Sequence, residues 1–152
     1  MAEDRMHFLI IDSPYYAEIS AELFAGATEA LTAAGATYDR ISVPGVLEIP
    51  AALSMATMAA ENDGTDYAGF VVLGCVIRGE TSHYDIVANE SARMIMSMSV
   101  DELLAIGNGI LTVNNESQAW ARARRDQKNK GGVAAQAALQ MAQLKRKLGV
   151  FL

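Results

Sequence analysis

A single cysteine, Cys75, stands among 152 residues, so no disulfide can form within the chain and a cysteine-built metal site is excluded. Its apolar neighbours suit a small buried side chain better than a nucleophile. Histidine is nearly as scarce, with two in the whole chain. Basic charge is short as well: 12 Lys and Arg stand against 18 Asp and Glu, a formal charge of −6. A general nucleic-acid binder needs a basic surface to neutralise phosphates, so no nucleic-acid partner is expected. No apolar run approaches the length that spans a bilayer, and Met1-Ala2-Glu3-Asp4-Arg5 lacks the basic-then-apolar order of a secretory signal. The expectation is a cytoplasmic protein with no membrane partner. Linkers and low-complexity stretches are absent too, so residues 1–152 read as one domain, and a hydrophobic content of 51% argues against disorder.

What is present is an alternation of strand and helix patterns. His7 to Ile11 reads as a first strand, followed by the loop Asp12 to Tyr16. Ile19, Leu23, Ala27 and Leu31 recur at helical spacing before Gly35 supplies a stop. Tyr38 to Val43 predicts a second strand, Ile49 to about Ala60 a second helix, and Asn62-Asp63-Gly64 a turn. Phe70-Val71-Val72-Leu73 is a continuous apolar run, the pattern of a strand covered on both faces of a parallel sheet. Val87, Met94, Ile95 and Met98 mark one face of a third helix, and Gly109 to Val113 a fourth strand. A short helix from about Gln118 to Arg124 precedes a long one from about Gly131 to Lys147, with Ala134, Ala138, Met141 and Leu148 on one side. This order predicts a three-layer α/β/α sandwich around a four-stranded parallel sheet, flavodoxin-like in class.

In open α/β sheets, ligands bind beyond the carboxyl ends of the strands. The chain after Leu73 is Gly74-Cys75-Val76-Ile77-Arg78-Gly79-Glu80-Thr81-Ser82-His83-Tyr84-Asp85, and it sits at that position. Gly74 and Gly79 permit a sharp turn or close approach to a ligand, while Thr81 and Ser82 offer hydroxyls and amides. His83 carries the side chain whose ordinary pKa lies nearest neutrality. The same residues also read as a surface loop with a capping residue before a helix at Tyr84.

Three other segments reach the same end of the sheet. Pro44-Gly45-Val46-Leu47-Glu48-Ile49-Pro50 either aims amides and Glu48 into a pocket or starts a helix with Glu48 at its positive end. Tyr15 and Tyr16 offer rings that pack or stack on a planar ligand. The run Arg122 to Gly132 is basic in an acidic chain; most of it reads as a solvated face, with at most one arginine and one lysine left for a phosphate.

Four ordered motifs, Val43 to Pro50, Val76 to Asp85, Gly109 to Thr112 and Asn129-Lys130-Gly131, make the chain resemble the lumazine synthase family over nearly its whole length. The resemblance implies condensation of 5-amino-6-(D-ribitylamino)uracil with 3,4-dihydroxy-2-butanone 4-phosphate, with no metal or organic cofactor. Carried over by position, His83 matches the proton-transferring histidine. Val46, Leu47, Glu48, Val76 and Ile77 match the lining of the pyrimidine and ribityl pocket. Gly79, Glu80 and Thr81 match the phosphate turn, Arg122 its completing arginine, and Lys130 a lysine near the ribityl chain. In the family Arg122 and Lys130 come from the neighbouring subunit.

The chain departs from the family's pattern at two places. Pro14-Tyr15-Tyr16 stands where an aromatic and a small polar residue are usual, so Tyr15 is the candidate ring for the pyrimidine. Asn108 stands where a neighbour's aromatic often covers the ligand. The resemblance implies a homo-oligomer, and the short segment before the first strand and the charged linker before the last helix point to a free pentamer. Methionines 94, 96 and 98 fit a helix buried in such a ring, and equally a monomer's core. The alternative from another class is a non-catalytic flavin- or lumazine-binding protein or a shell-forming scaffold. His83 together with Arg122 favours the enzyme, since a binder of unphosphorylated flavin has little use for a phosphate site.

Overall fold

Eight of the nine residues of β3 (Gly69–Ile77) are buried, which requires a layer on each face of the sheet. The computed structural model describes residues 5–150 and supplies both layers. The elements run β1 (His7–Asp12), α1 (Ala17–Ala33), β2 (Thr37–Ser42), a 3₁₀ turn at Val46–Glu48, α2 (Ile49–Glu61) and β3. They continue with α3 (His83–Asp101), β4 (Ile106–Val113), α4 (Glu116–Ala123) and α5 (Lys130–Leu148). All strand pairs are parallel, in the order β2-β1-β3-β4. The expected three-layer α/β/α sandwich, flavodoxin-like, is what the chain forms. No helix among the described residues is long and apolar enough to cross a membrane.

The alternating side chains of each strand feed two separate cores. Phe8, Ile10, Val71, Leu73 and Cys75 pack with α1, α4 and α5. Leu9, Ile11, Phe70, Val72 and Val76 pack with the 3₁₀ turn, α2 and α3. The helical stripe Ile19, Leu23, Ala27 and Leu31 is buried as its spacing predicts. Full burial of a leucine such as Leu23 contributes about 1.5–3 kcal/mol relative to leaving it in water.

Several boundaries differ from the sequence reading. β3 runs on through Gly74 to Ile77, and β4 begins at Ile106 rather than Gly109. Glycines inside a pattern read as breaks, but here they admit close neighbours. A β-carbon on Gly107 would fall inside the radius of the Ala134 carbonyl oxygen, and one on Gly131 inside that of the Leu23 carbonyl. The buried side of α5 is accordingly built from Gly131, Gly132, Ala134, Ala135, Ala138 and Ala142. Met141 and Leu148, expected on that side, are exposed, and so are Met94 and Met96 on α3, where Met98 alone of the three methionines is buried.

At the amino end of the sheet, His7 donates or accepts through both ring nitrogens, Nδ1 to Thr37 Oγ1 at 2.7 Å and Nε2 to Asp39 Oδ2 at 3.0 Å. The Tyr67 hydroxyl donates to the same Asp39 oxygen at 2.7 Å, and its ring stacks on His7. Those bonds, Tyr67's first and His7's second, hold the Asp39 carboxyl below its usual 3.8. A depressed carboxylate contributes stability above its unfolded pKa and loses it as pH falls through the folded one. Tyr67→Phe is therefore expected to lower stability at neutral pH, with the difference shrinking below about pH 4; denaturant melts at several pH values check this.

Candidate active site

The carboxyl ends of the four strands are where the loops of this fold collect. β3 stays paired to its last residue, because the Arg78 amide donates to Val113 O at 2.9 Å. The chain then leaves the sheet as Gly79-Glu80-Thr81-Ser82, all exposed, and α3 starts at His83. Thr81 Oγ1 accepts the His83 amide at 3.3 Å, and the Ser82 carbonyl accepts from Asp85 N and Ile86 N. The result is a short turn leading into the positive end of a 19-residue helix, a setting that favours an anion. His83 is exposed beside it.

The two glycines of this segment sit in different surroundings. Gly74 lies inside β3, where a β-carbon would come within 2.8 Å of Val46 Cγ2. It therefore serves packing rather than a turn. Gly79 does not adopt a positive φ and has nothing within 4 Å of the place a β-carbon would take, so the space around it is open.

The 3₁₀ turn Val46–Glu48 joins β2 to α2, with Glu48 N donating to Gly45 O at 3.1 Å. The fold shows the helix-start reading of this segment. Glu48 precedes the first turn of α2, and Pro50 occupies its start, where no amide partner is needed. Val46 is buried against β3, leaving Leu47 and Glu48 exposed. Val76 is buried and Ile77 half-buried at the end of β3.

On the other face of the sheet, Tyr15 is 75% exposed and meets Tyr16 edge-on at 5.0 Å. Burial, then the neighbouring Cys75, Tyr15 and Glu116, raise the Tyr16 hydroxyl above its ordinary value, so it stays a donor. Burial pushes the Cys75 thiol up to about 11, in keeping with a packing role rather than a nucleophilic one.

Two groups that the sequence reading passed over frame the loops. Asp12, fully buried as the last residue of β1, accepts from Arg40 Nη2 at 2.6 Å, Arg40 Nε at 3.1 Å and Ser42 Oγ at 2.6 Å. It ties the ends of β1 and β2 beneath the Tyr15 loop. The signal for it was available: an acid ending one strand and an arginine two residues short of the end of the next face the same layer in a parallel pair. The second group is Arg78, whose Nε donates to Asn114 Oδ1 at 3.2 Å and whose Cζ lies 4.2 Å from the centre of the Tyr84 ring.

The basic stretch divides. Arg125 is consumed by Glu22 and Glu29 of α1, and Arg124 lies over Trp120. Arg122 is half-buried on α4, with Nη1 donating to Gln118 O at 3.1 Å. Lys130 is exposed as the first residue of α5, behind the left-handed cap Asn129, whose Oδ1 accepts from Gly132 N. Neither Arg122 nor Lys130 makes a hydrogen bond or ion pair with Gly79–His83 among the described residues. Asn108 lies near the start of β4, exposed, with Oδ1 accepting from Ile110 N at 2.9 Å, and the single chain does not bring it to the turn either.

An anion-favouring turn, an exposed imidazole at its end and a short helix turn from the loop after β2 make a candidate site at the carboxyl edge of a flavodoxin-like α/β fold, the class of an α/β enzyme. The comparisons sharpen that class. A family model described as 6,7-dimethyl-8-ribityllumazine synthase matches residues 5–146. A 6,7-dimethyl-8-ribityllumazine synthase of Agrobacterium fabrum is 61% identical over 143 residues, covering 94% of this chain and 97% of the relative. The protein of Rhizobium meliloti called 6,7-dimethyl-8-ribityllumazine synthase 1 is 58% identical over 95% of this chain and 94% of its own length. One from Bartonella tribocorum is 56% identical over 94% and 92%. The chain belongs to the 6,7-dimethyl-8-ribityllumazine synthase family.

Proposed function

We propose that this chain is the transferase of riboflavin biosynthesis that condenses 5-amino-6-(D-ribitylamino)uracil with 3,4-dihydroxy-2-butanone 4-phosphate. The uracil's amine adds to the ketone and water leaves to give an imine; phosphate is then eliminated, and closure of the second ring expels a further water. The product is 6,7-dimethyl-8-ribityllumazine. The observation that carries the reading is the turn Gly79–Ser82 running into the amino end of α3 with His83 beside it, in a chain matched by that family from residue 5 to residue 146.

In this reading the amides and the Thr81 hydroxyl of the turn hold the phosphate, with Glu80 at the rim. His83 moves protons between the condensing atoms and water. Tyr15 stacks on the pyrimidine, while Val46, Leu47, Glu48, Val76 and Ile77 line the pocket around it and the ribityl chain. Arg122 and Lys130 serve a neighbour's site, which agrees with their standing apart from this chain's own turn. The assembly is then a cytoplasmic homopentamer, with Asn108 also facing a neighbour's ligand. Support for association comes from the groove of about 640 Å³ between α2 and α3, lined by Leu47, Pro50, Met94 and Met98, and from exposed Met55 and Met58 on α2 and Met96 on α3.

Mixing the purified protein with both substrates and following lumazine absorbance tests the activity; formation no faster than the protein-free background would sink it. Arg122→Ala is expected to raise KM for the butanone phosphate about tenfold with little change in KM for the uracil, the loss of one charge-assisted hydrogen bond. Sedimentation velocity reports the assembly, and a monomer with full activity would refute the shared site.

A further inference from the structure

Arg78 is the first charged side chain after β3, and the roles assigned above leave it without a task. Its backbone is fixed by the bond from its amide to Val113 O. Its guanidinium then meets three residues on two segments of the site. Nε donates to Asn114 Oδ1 at 3.2 Å, reaching the loop after β4. Cζ lies 4.2 Å from the Tyr84 ring centre, and Nη1 stands 3.6 Å from Asp85 Oδ1.

Tyr84 and Asp85 follow His83 directly in the first turn of α3. The segment Gly79–Ser82 therefore begins at Arg78 and ends on the helical turn that the Arg78 side chain grips. The exposed ion pair to Asp85 adds little by itself. What matters is convergence: a rigid planar cation, stacked on one ring and bonded at its edge to a second loop, leaves the short turn between few arrangements. Each of these guanidinium contacts is to a protein group, and the proposal routes the effect of Arg78 on the reacting atoms through those groups.

We propose that Arg78 is a positioning residue for the condensation, closing Gly79–Ser82 into a fixed phosphate-holding turn and setting His83 at its end by clamping the first turn of α3 to Asn114. The proposal rests on the reading of His83 and the turn given above.

The test is a kinetic cycle on the assembled protein: wild type, Arg78→Met, His83→Ala and the double variant, with Asn114→Ala as a milder removal of the same clamp. Arg78→Met is expected to lower kcat about tenfold while KM for the uracil stays within about twofold, as for a misplaced catalytic group. Asn114→Ala should lower kcat in the same direction with an unchanged melting temperature. In the His83→Ala background, Arg78→Met should cost less than about twofold more, since groups acting through one another are not additive. An undiminished loss in that background overturns the proposal, as does an intact kcat for Arg78→Met, whatever its KM for the butanone phosphate. His83→Ala at the wild-type rate would instead defeat the proton-transfer reading. Asn114→Ala then decides Arg78 alone: a matching loss of kcat supports its hold on the turn, and no loss overturns it.

Discussion

His83→Ala is expected to lower kcat about a hundredfold while leaving KM for either substrate nearly unchanged, the low end of what a positioned proton donor and acceptor supplies. The imidazole is exposed at the start of α3: its own amide is held by Thr81, and among the described residues no hydrogen bond runs from its ring. Stability should therefore be untouched, and the loss should appear in turnover alone. A residual rate above the protein-free background is part of the expectation, because holding two reactants side by side contributes independently of proton transfer. Single-turnover absorbance at saturating substrates measures it, and a variant that turns over at the wild-type rate would remove His83 from the chemistry.

The second large effect is on folding. Gly107→Ala places a methyl against the Ala134 carbonyl oxygen, and that atom belongs to the backbone of α5 and has no rotamer through which to yield. The helix must shift away from β4, opening the contacts of Ala134, Ala135 and Ala138 with both strands, at a cost of about 3 kcal/mol or more. For a chain of this size that lowers Tm by roughly 6–12 °C. Gly79 provides the contrast, since its surroundings are open and an added methyl there meets no protein atom. Paired thermal melts decide the matter; equal Tm values for Gly107→Ala and wild type would mean that α5 is not pressed on the sheet as described.

Why some of this was legible in the sequence and some was not follows from range. The stripe Ile19, Leu23, Ala27 and Leu31 and the apolar run Phe70 to Leu73 declare their surroundings through local periodicity alone. Gly74 reads as the end of a strand that in fact runs on, and β4 begins ahead of Gly109, because a glycine that breaks a strand and one that admits a close neighbour look alike until the neighbour is known. Hydrophobicity alone puts Met94, Met141 and Leu148 on buried faces, yet this chain leaves them exposed. The turn and His83 were found by position after an apolar strand. Asp12 with Arg40, and Arg78 with Asn114, depend on partners from 28 to 36 residues away and needed the sheet order to be seen.

Asn108 has a consequence beyond its own strand. Residues 107, 109, 111 and 113 of β4 point their amides toward β3, so those of 108, 110 and 112 face outward from a border strand that has no fifth strand beside it among the described residues. Such a row of amides is a template for a foreign strand, the first step of amyloid-like growth. The Asn108 side chain occupies the middle one, Ile110 N, with its own carbonyl. A stray β-segment arriving at this border finds the central docking point already filled.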